Sequence, residues 1–205
     1  VPAPLEVHVL DVGNGAAVVA RAPGAPTWVL DAGSRDRLAV ADEGVGALLR
    51  ALDTGAIRVG VSHDHADHAA ALPWVMGRWE AEGYHGPTGE DAGRDTRHPR
   101  GIVWLHSSLH GDEHPPLRVA AIASGMADPN EGSALFDLRW RALDGRSCRV
   151  VLCGDAEGQG LRAILDGGGE SPWLEPGPVD LLLLPHHGSR TRYLAQLLDR
   201  LQPAL

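Results

Sequence analysis

The sequence contains no lysine, so arginine accounts for all 18 basic residues, against 27 acidic residues and a net charge of −9. Because non-specific affinity for nucleic acids comes largely from cationic charge, this balance argues against a protein that binds phosphate backbones indiscriminately. The exclusive use of arginine is typical of a base-composition bias in the source genome. Local basic clusters nevertheless remain: Arg139 and Arg141 would share one face of a strand and make that face cationic.

Cysteine is almost as scarce, since Cys148 and Cys153 are the only two. On an extended segment these two residues lie too far apart to form a disulfide with each other. They would point to opposite faces of a strand, and we expect both to be small, buried, apolar side chains. A fold built on disulfides is therefore excluded.

Long apolar runs are also missing. No stretch approaches the ~20 residues that a membrane-spanning helix needs. The first residues show neither an initiator methionine nor a basic segment followed by an apolar one, which is the pattern of a signal peptide. We therefore expect a soluble domain without a membrane segment, either processed or part of a larger protein or complex, and cytoplasmic if it stands alone.

The length of 205 residues fits one domain, 1–205, with a sizeable core. Apolar segments of strand length fall into two groups, and segments with helical spacing lie between and after them. We predict strands over 6–10, 17–20, 27–30, 57–61, 102–105, 119–122, 134–140, 148–153 and 179–184, and helices over about 38–52, 69–79, 159–165 and 192–201. Residues 80–100 are polar and rich in glycine and proline, which predicts a long surface excursion.

The segment Ser62–His68 concentrates three histidines and two aspartates directly after the strand predicted at 57–61. Imidazole nitrogens and carboxylate oxygens are ligands that suit zinc and similar divalent cations. His63 and His65 would project the same way from extended backbone, whereas Asp67 and His68 fall where the chain turns into the next helix. A solvated histidine-rich loop is the alternative, but it leaves the order of these residues unexplained. The pattern predicts a metal site with ligands for two ions.

Two further groups of potential ligands follow predicted strands later in the chain. Asp155 comes after the strand at 148–153, and His186 and His187 come after the strand at 179–184. Three strand ends that deliver histidine and aspartate to one rim are typical of a dinuclear hydrolase site.

These segments resemble those of metallo-β-lactamase-fold hydrolases, and most closely the hydrolase domain of the ComEC/Rec2 family of DNA-uptake proteins. Besides the histidine motif, the likeness is carried by Leu10–Gly15, Leu30–Gly33, Ala127–Asn130 with Ser133, and Pro185–Thr191. It covers most of the chain except an unrecognised insertion at about 80–118. The resemblance implies an α/β fold, a four-layer αββα sandwich. ComEC-like sequences continue into another strand after the point where this chain stops, so we expect a fragment or a fold without its last strand. Within a DNA-uptake protein the domain would be extracytoplasmic.

The resemblance also implies two divalent metal ions, zinc or manganese, and a set of ligands for them: His63, His65, Asp67, His68, Asp155 and His186. The first ion would take His63 and His65, Asp155 would bridge the two ions, and the remaining residues would hold the second. Asp67 would in addition orient the attacking water. Either histidine of the 186–187 pair could be the ligand; we assign the other, His187, as the proton donor to the leaving group, with a purely structural role as the alternative.

In this superfamily the first metal usually takes a third histidine between the motif and the bridging aspartate. Here the chain has Asp128–Ser133, which contains no histidine. We therefore expect the first site to be weaker than the second, or to hold manganese instead of zinc. His106, His110 and His114 lie earlier, in the insertion, where each is either the missing ligand or an ordinary surface histidine.

Further residues would orient the ligands or contact substrate at the same rim: Asp11, Asn14, Asp31, Asn130, Ser133 and Ser189. Asp31 is expected to orient the motif histidines through hydrogen bonds. For Ser189 we favour a cap on the following helix over contact with substrate. ComEC-like sequences often carry an aspartate where this chain has Ala16, which argues against catalytic help from that position.

Three functions fit these features. The first is a metal-dependent phosphodiesterase or nuclease that acts on DNA, as the ComEC likeness implies, although the acidic net charge argues against it. The second is a hydrolase of the same fold for a small ester, a phosphorylcholine or a lactone, in which Trp74, Trp79 and Trp104 either wall a pocket or belong to the core. The third is a metal-binding module that needs a partner domain for activity.

Overall fold

The computed structural model describes residues 5–36, 39–86, 100–105, 117–142, 144–167 and 173–204. These residues form two five-stranded sheets. The described residues group into two compact units, the first reaching to Gly86 and the second beginning at Arg100. His106, His110 and His114, together with most of the predicted insertion, lie outside the described residues. The prediction of a single domain over 1–205 stays a prediction.

In the first unit the strands are neighbours in chain order: β1 (Glu6–Val9), β2 (Ala17–Arg21), β3 (Thr27–Ala32), β4 (Ala56–Gly60) and β5 (Glu80–His85). The first three strands form an antiparallel meander, whereas β3, β4 and β5 run parallel. Because parallel strands end at the same edge of a sheet, the loops that follow β3 and β4 leave from one side.

Helical segments cover one face of this sheet. Val40–Gly46 forms a π-helix that continues as α1 (Ala47–Ala51). Two short helices, α2 (Ala66–Ala69) and α3 (Leu72–Met76), follow β4. The side chains that pack in the core of this unit include a fully buried set: Val19, Val29, Val45, Leu49, Ile57, Val59 and Val75. Burial of one such side chain contributes about 1.5–3 kcal/mol, so this layer anchors the sheet from which the loops project.

The second unit has a similar plan with strands β6 (Gly101–Leu105), β7 (Leu117–Ala123), β8 (Leu135–Arg141), β9 (Ser147–Leu152) and β10 (Leu181–Leu183). Adjacent strands from β6 to β9 are antiparallel, and β10 pairs parallel with β9. The residues that follow β9 and β10 therefore leave from the same edge of this sheet.

Two helices, α4 (Gly158–Asp166) and α5 (Leu194–Leu201), accompany the second sheet, and a short 3₁₀ turn spans Pro185–Gly188. Their apolar sides join a core whose fully buried members include Leu135, Val151, Cys153, Ala156, Leu161, Ile164, Leu174, Leu197 and Leu201. Among the described residues, no helix of either unit has the length and apolar character required to cross a membrane.

Both cysteines are free thiols, and Cys153 is fully buried while Cys148 is partly buried. Burial, with a smaller contribution from the Asp180 carboxylate, raises the pKa of Cys148 to about 11. Burial also raises the pKa of Cys153. The expectation of a buried, apolar side chain is confirmed for Cys153, whereas Cys148 is only partly buried.

Arg139, one of the two arginines predicted to make a strand face cationic, is paired with a buried carboxylate. Asp137 is 1% exposed and accepts hydrogen bonds from Arg139 Nη2 at 2.7 Å and from Arg149 Nη2 at 2.9 Å. Arg149 Nη2 also lies 2.9 Å from the Glu175 carbonyl oxygen, and Arg139 Nη1 donates to the Glu175 side chain at 2.6 Å. The predicted positive charge is therefore neutralised at Arg139, whereas Arg141 on the same face is exposed.

Three predicted elements differ from the structure. The strand predicted over 179–184 is limited to Leu181–Leu183. Residues 80–85, predicted as the start of a surface excursion, form the edge strand β5, whose side chains alternate between exposed and half-buried. The helix predicted over 69–79 is divided into α2 and α3, which a turn at Ala70 and Ala71 separates. α2 begins at Ala66, so it includes the last residues of the histidine motif.

Candidate metal centre

The histidine motif leaves the carboxyl end of β4 and turns into α2, so its side chains converge over a few residues. The ring centroid of His63 lies 4.6 Å from that of His65 and 4.2 Å from that of His68. Asp67 and His68 are buried in α2 and offer ligand atoms within 4.8 Å of each other. The first unit thus brings together three imidazoles and one carboxylate.

Asp31 contacts this cluster from the end of β3. The pairing of β2 with β3 shifts at this point, which makes Asp31 a bulged residue with a φ of 55°. The bulge directs its carboxylate at the motif: Oδ1 accepts a hydrogen bond from the Ser62 backbone N–H at 2.7 Å, and Oδ2 lies 2.8 Å from His68 Nδ1. A carboxylate on one ring nitrogen fixes the orientation of an imidazole and directs the other nitrogen as the ligand.

The turn after β3 approaches the backbone of α2 closely. A Cβ atom on Gly33 would overlap the Ala66 carbonyl oxygen, and a Cβ atom on Gly15 would lie 2.7 Å from the Asp67 carbonyl oxygen. The Ala16 N–H donates to that same carbonyl oxygen at 2.9 Å. Two loops therefore hold the backbone of Asp67, and only glycine at positions 15 and 33 allows this packing.

Arg35 contacts the Asp67 carboxylate with two nitrogens. Its Nε lies 3.1 Å from Oδ2, and its Nη2 donates to Oδ1 at 3.2 Å. Burial raises the pKa of Asp67, but a hydrogen bond from its own backbone N–H and the charges of His68 and Arg35 outweigh burial, so the pKa is lowered. Asp67 is therefore ionised at neutral pH, which is the form that binds cations.

Tyr84 belongs to the same end of the first sheet, near the carboxyl terminus of β5. Burial, followed by the charges of Asp64 and Asp31, raises the pKa of its phenol. Tyr84 is nevertheless among the exposed large apolar residues. Its hydroxyl is therefore neutral at physiological pH.

In the second unit, the parallel pairing of β9 and β10 brings Asp155 together with His186 and His187. Asp155 is 2% exposed, and its backbone N–H donates to Ser133 Oγ at 3.1 Å. His187 Nε2 lies 3.6 Å from Asp155 Oδ1, and His186 Nε2 lies 3.9 Å from Asp155 Oδ2. Both imidazoles therefore face one buried carboxylate.

His186 and His187 both adopt left-handed backbone conformations, with φ values of 50° and 53°. Side chains with a Cβ rarely adopt this region, and such strain is concentrated at functional sites. Glu157 stabilises the arrangement, because its Oε2 lies 2.9 Å from His186 Nδ1 and its Oε1 accepts a hydrogen bond from Asn130 Nδ2 at 3.2 Å. Asn130 is thereby connected to His186 through one carboxylate.

The remaining predicted site residues lie at the surface of their units. Asp11 is exposed and accepts a hydrogen bond from the Gly13 N–H at 3.3 Å, and Asn14 is exposed. Ser189 is exposed and does not cap the following helix, since α5 begins at Leu194 without a side-chain capping bond. The favoured role of Ser189 as a helix cap was therefore wrong.

The tryptophans considered as pocket walls have different positions. Trp74 and Trp79 are partly buried and pack against the core of the first unit, with ring centroids 6.1 Å apart. They contribute to packing, which was the alternative considered for them. The side chain of Trp104 lies outside the described residues.

Sequence reasoning missed two residues that contact the candidate ligands. Glu157 stands two residues after Asp155, in the loop between β9 and α4, and its contact with His186 spans 29 residues of sequence. Arg35 had no usable sequence signal, since it lies 32 residues from Asp67 in a loop of ordinary composition.

The donor set of each unit fits a divalent cation by its chemistry. Buried imidazoles and carboxylates are the usual ligands of zinc and manganese. In addition, His68 has the Asp31 carboxylate on one ring nitrogen, which is the arrangement that orients metal-binding histidines. The pair Asp155 and His187 offers ligand atoms within 4.8 Å of each other, as the pair Asp67 and His68 does.

Sequence comparisons identify no relative: no protein-family model matches the chain, and no curated protein matches it. Solved structures do match. The chain is similar to the metallo-β-lactamase SMB-1 bound to 2-mercaptoethanesulfonate, with 17% identity and a TM-score of 0.46 over 73% of this chain and 61% of that one. It is also similar to ETHE1 from Myxococcus xanthus, with 16% identity and a TM-score of 0.46 over 75% of this chain and 57% of that one. The chain thus spans less than two thirds of the length of either protein.

A more extensive likeness decides the fold. The metallo-β-lactamase MIM-1 from Novosphingobium pentaromativorans aligns over 98% of this chain and 83% of its own, with 18% identity and a TM-score of 0.53. At this identity the likeness concerns the fold alone. The predicted α/β fold class is confirmed, and the chain has the metallo-β-lactamase fold.

Proposed function

We propose that the chain is a metal-dependent hydrolase in which the ligand groups of the two units serve one dinuclear centre. One observation carries the proposal: each unit places a buried carboxylate beside an imidazole at the carboxyl end of parallel strands, Asp67 with His68 and Asp155 with His187. Either pair alone supplies two protein ligands, whereas catalytic zinc sites usually have three. Pooling the pairs, with His63 and His65, supplies enough ligands for two ions.

The residues have separate tasks in this proposal. Bound divalent cations would supply Lewis acidity for a phosphoryl or acyl oxygen and would lower the pKa of a nucleophilic water. Asp67 is both a ligand and the group that orients the attacking water by hydrogen bonding. Asp31 holds the His68 ring, and Ser133 holds the backbone of Asp155.

The two neighbouring histidines divide their tasks in the reverse of the assignment made from sequence. We assign His187 as the ligand, since its Nε2 is the nearer to Asp155 at 3.6 Å. His186 is assigned as the proton donor, because Glu157 contacts its Nδ1 and an imidazole beside a carboxylate can carry the proton that a leaving alkoxide takes.

The substrate we propose is a phosphodiester, with DNA as the specific case. The support is the resemblance of Asp128–Asn130 and Pro185–Ser189 to the corresponding segments of the ComEC family, and a centre suited to phosphoryl oxygens. Zinc and manganese are both compatible with the donor set.

The alternative we retain is a small-molecule hydrolase of the same fold for an ester, a phosphorylcholine or a lactone. Its support is the net charge of −9, which opposes a polyanionic substrate. The same site chemistry would serve both functions, so the substrate must be decided by experiment.

The experiment is incubation of the purified protein with linear and circular DNA, single- and double-stranded, in the presence of Mn²⁺, Zn²⁺ or EDTA. Bis(p-nitrophenyl) phosphate and p-nitrophenyl acetate are assayed in parallel. We expect cation-dependent cleavage of DNA and of the diester, lost in EDTA and in Asp67→Asn. Asp166→Asn, which alters an exposed carboxylate paired with Arg162, is the matched control and should retain activity. Cleavage of the acetate without cleavage of either phosphodiester would favour the alternative.

A further inference from the structure

Arg35 lies in a loop whose backbone is closely held. Its N–H donates to the Asn14 carbonyl oxygen at 2.8 Å, and the Asn14 N–H donates to the Asp36 carboxylate at 2.9 Å. The neighbouring Ser34 hydroxyl donates to the Val12 carbonyl oxygen at 2.6 Å. The start of the Arg35 side chain is thus fixed by the loops that surround the histidine motif.

The guanidinium end of Arg35 contacts a buried carboxylate, although the Arg35 side chain itself is largely exposed to solvent. The Asp67 side chain is 3% exposed, whereas the Arg35 side chain is 55% exposed. The guanidinium therefore approaches a buried candidate ligand from the solvent side, and it is anchored there by the contacts of Nε and Nη2 with the two carboxylate oxygens.

The guanidinium has donors beyond those used on Asp67. It carries five N–H groups in a rigid planar fork, and one edge of this fork serves the carboxylate. Nη1 makes no hydrogen bond to any residue within the described part of the chain. The edge that includes Nη1 is therefore available to a ligand. A guanidinium edge of this kind binds two oxygens of a carboxylate or phosphate at once.

We infer that Arg35 binds the anionic group of the substrate beside the metal centre and thereby determines specificity for phosphate esters. This inference rests on the proposed function, because it assigns a substrate class to the same site. The local charge favours it: in a chain with a net charge of −9, a permanently charged guanidinium beside Asp67 attracts an anion to the position where the reaction occurs. A neutral ester could accept a hydrogen bond there but would gain neither the charge attraction nor the paired contact.

A purely structural ion pair with Asp67 is the competing role for Arg35. The two roles differ in what a substitution changes. Loss of a positioning contact alters metal affinity and kcat for every substrate, whereas loss of an anion contact raises KM for anionic substrates alone. Arg50 provides a matched control, since it is 54% exposed and paired at 3.0 Å with the Asp42 carboxylate on the helical segment that leads into α1.

The test compares wild type, Arg35→Gln, Arg35→Lys and Arg50→Gln. Calorimetric titration with Mn²⁺ comes first, followed by titration of the Mn²⁺-loaded protein with inorganic phosphate and by kinetics on bis(p-nitrophenyl) phosphate and p-nitrophenyl acetate. For Arg35→Gln we expect the phosphate dissociation constant and the KM for the diester to rise about 10- to 100-fold, because one charged, bidentate contact is lost. Mn²⁺ stoichiometry, kcat for the diester and KM for the acetate should change little. Arg35→Lys should fall between Arg35→Gln and wild type, because lysine keeps the charge without the fork.

Three results would overturn the inference. Unchanged phosphate affinity in Arg35→Gln would show that Arg35 does not contact the anion. This result requires only a binding measurement and no catalytic activity. Equal losses on the diester and the acetate, or a loss of Mn²⁺ affinity alone, would leave Arg35 as a positioning residue for Asp67. A wild-type protein that binds no Mn²⁺ would instead contradict the proposed function itself, which the first titration detects separately.

Discussion

At the scale of single residues, the candidate centre depends on carboxylates that orient imidazoles. Asp31 is the clearest example, because a bulge and a φ of 55° aim its side chain at Ser62 and His68. Asparagine also tolerates a left-handed conformation. Asp31→Asn therefore removes the charge of the side chain and keeps the backbone conformation. The effect of the charge can thus be measured separately from the effect of the bulge.

We predict that Asp31→Asn lowers the affinity for Mn²⁺ or Zn²⁺ by about 10- to 100-fold, the usual cost of removing a partner behind a metal-binding histidine. Calorimetric metal titration measures this effect. Asp53→Asn is the control, since Asp53 is exposed, has a similar φ of 50° and follows α1 in the first unit. Equal metal affinity of wild type and Asp31→Asn would show that this carboxylate does not support a ligand.

A second prediction separates the neighbouring histidines. His187→Ala should weaken metal binding, whereas His186→Ala should keep the metal and slow a diester with an alkoxide leaving group far more than a p-nitrophenyl diester. Nitrophenolate leaves without a proton but a deoxyribose alkoxide needs one, and general-acid help is typically worth ~10²–10⁴-fold. Metal titration and kinetics on both kinds of diester check this. Equal losses on both diesters in His186→Ala would refute its role as proton donor.

The residues of the candidate centre were predictable to different extents. The histidine motif was visible because its ligand types stand within seven residues, Ser62–His68, after a recognisable strand. Arg35 and Glu157 were not found, because their relation to Asp67 and His186 exists only after the loops are folded. Contacts between residues that are distant in sequence have no local pattern.

At the scale of secondary structure, the loops that carry the ligands depend on close backbone packing. Gly33 follows β3 and touches the backbone at the start of α2, with its Cβ position occupied by Ala66 and His68 atoms. The position of the histidine motif therefore depends on the position of the loop that follows β3. A side chain at Gly33 would push α2 away from the strand end.

We predict that Gly33→Ala destabilises the fold by about 1–3 kcal/mol, the usual cost of overpacking, and lowers metal affinity as well. Chemical denaturation and metal titration measure the two effects. Gly55→Ala is the control, because a Cβ atom there meets no atom within 4 Å. It should be neutral or slightly stabilising, since alanine restricts the unfolded chain. An equally stable Gly33→Ala protein with unchanged metal affinity would contradict this account of the loop.

The strands with continuous apolar character were predicted close to their observed limits, because their residues are buried in the sheets. The prediction failed at β5, where polar and half-buried residues alternate at an edge and resemble an exposed loop in composition. It also failed at α2, since helix formation begins inside the histidine motif and before the apolar spacing that marked the predicted start. In both places tertiary packing outweighs local sequence preference.

At the scale of the whole molecule, stability depends on the apolar core of each unit and on buried carboxylates that are paired with arginines. The main example is Asp137 in β8, which receives hydrogen bonds from Arg139 and Arg149. Arg149 also contacts the carbonyl oxygens of Glu175 and Gly177, so the network ties the second sheet to the loop before β10.

We predict that Asp137→Ala lowers the free energy of unfolding by about 3–5 kcal/mol, because it removes a buried carboxylate and leaves two partly buried guanidinium groups without their partner. Urea denaturation measures the loss. Asp144→Ala, which removes an exposed ion pair with Arg146, should leave the transition unchanged. A similar transition for Asp137→Ala and wild type would mean that the arginines find other partners.

The proposed function requires that the ligand groups of both units bind the same metal centre. Anomalous diffraction from crystals grown with Mn²⁺ or Zn²⁺ tests it most directly. We expect one or two anomalous peaks within coordination distance of Asp67, His68, Asp155 and His187. Peaks bound to only one of the two units, or an Asp155 carboxylate farther than a side-chain length from Asp67 and His63, would contradict it.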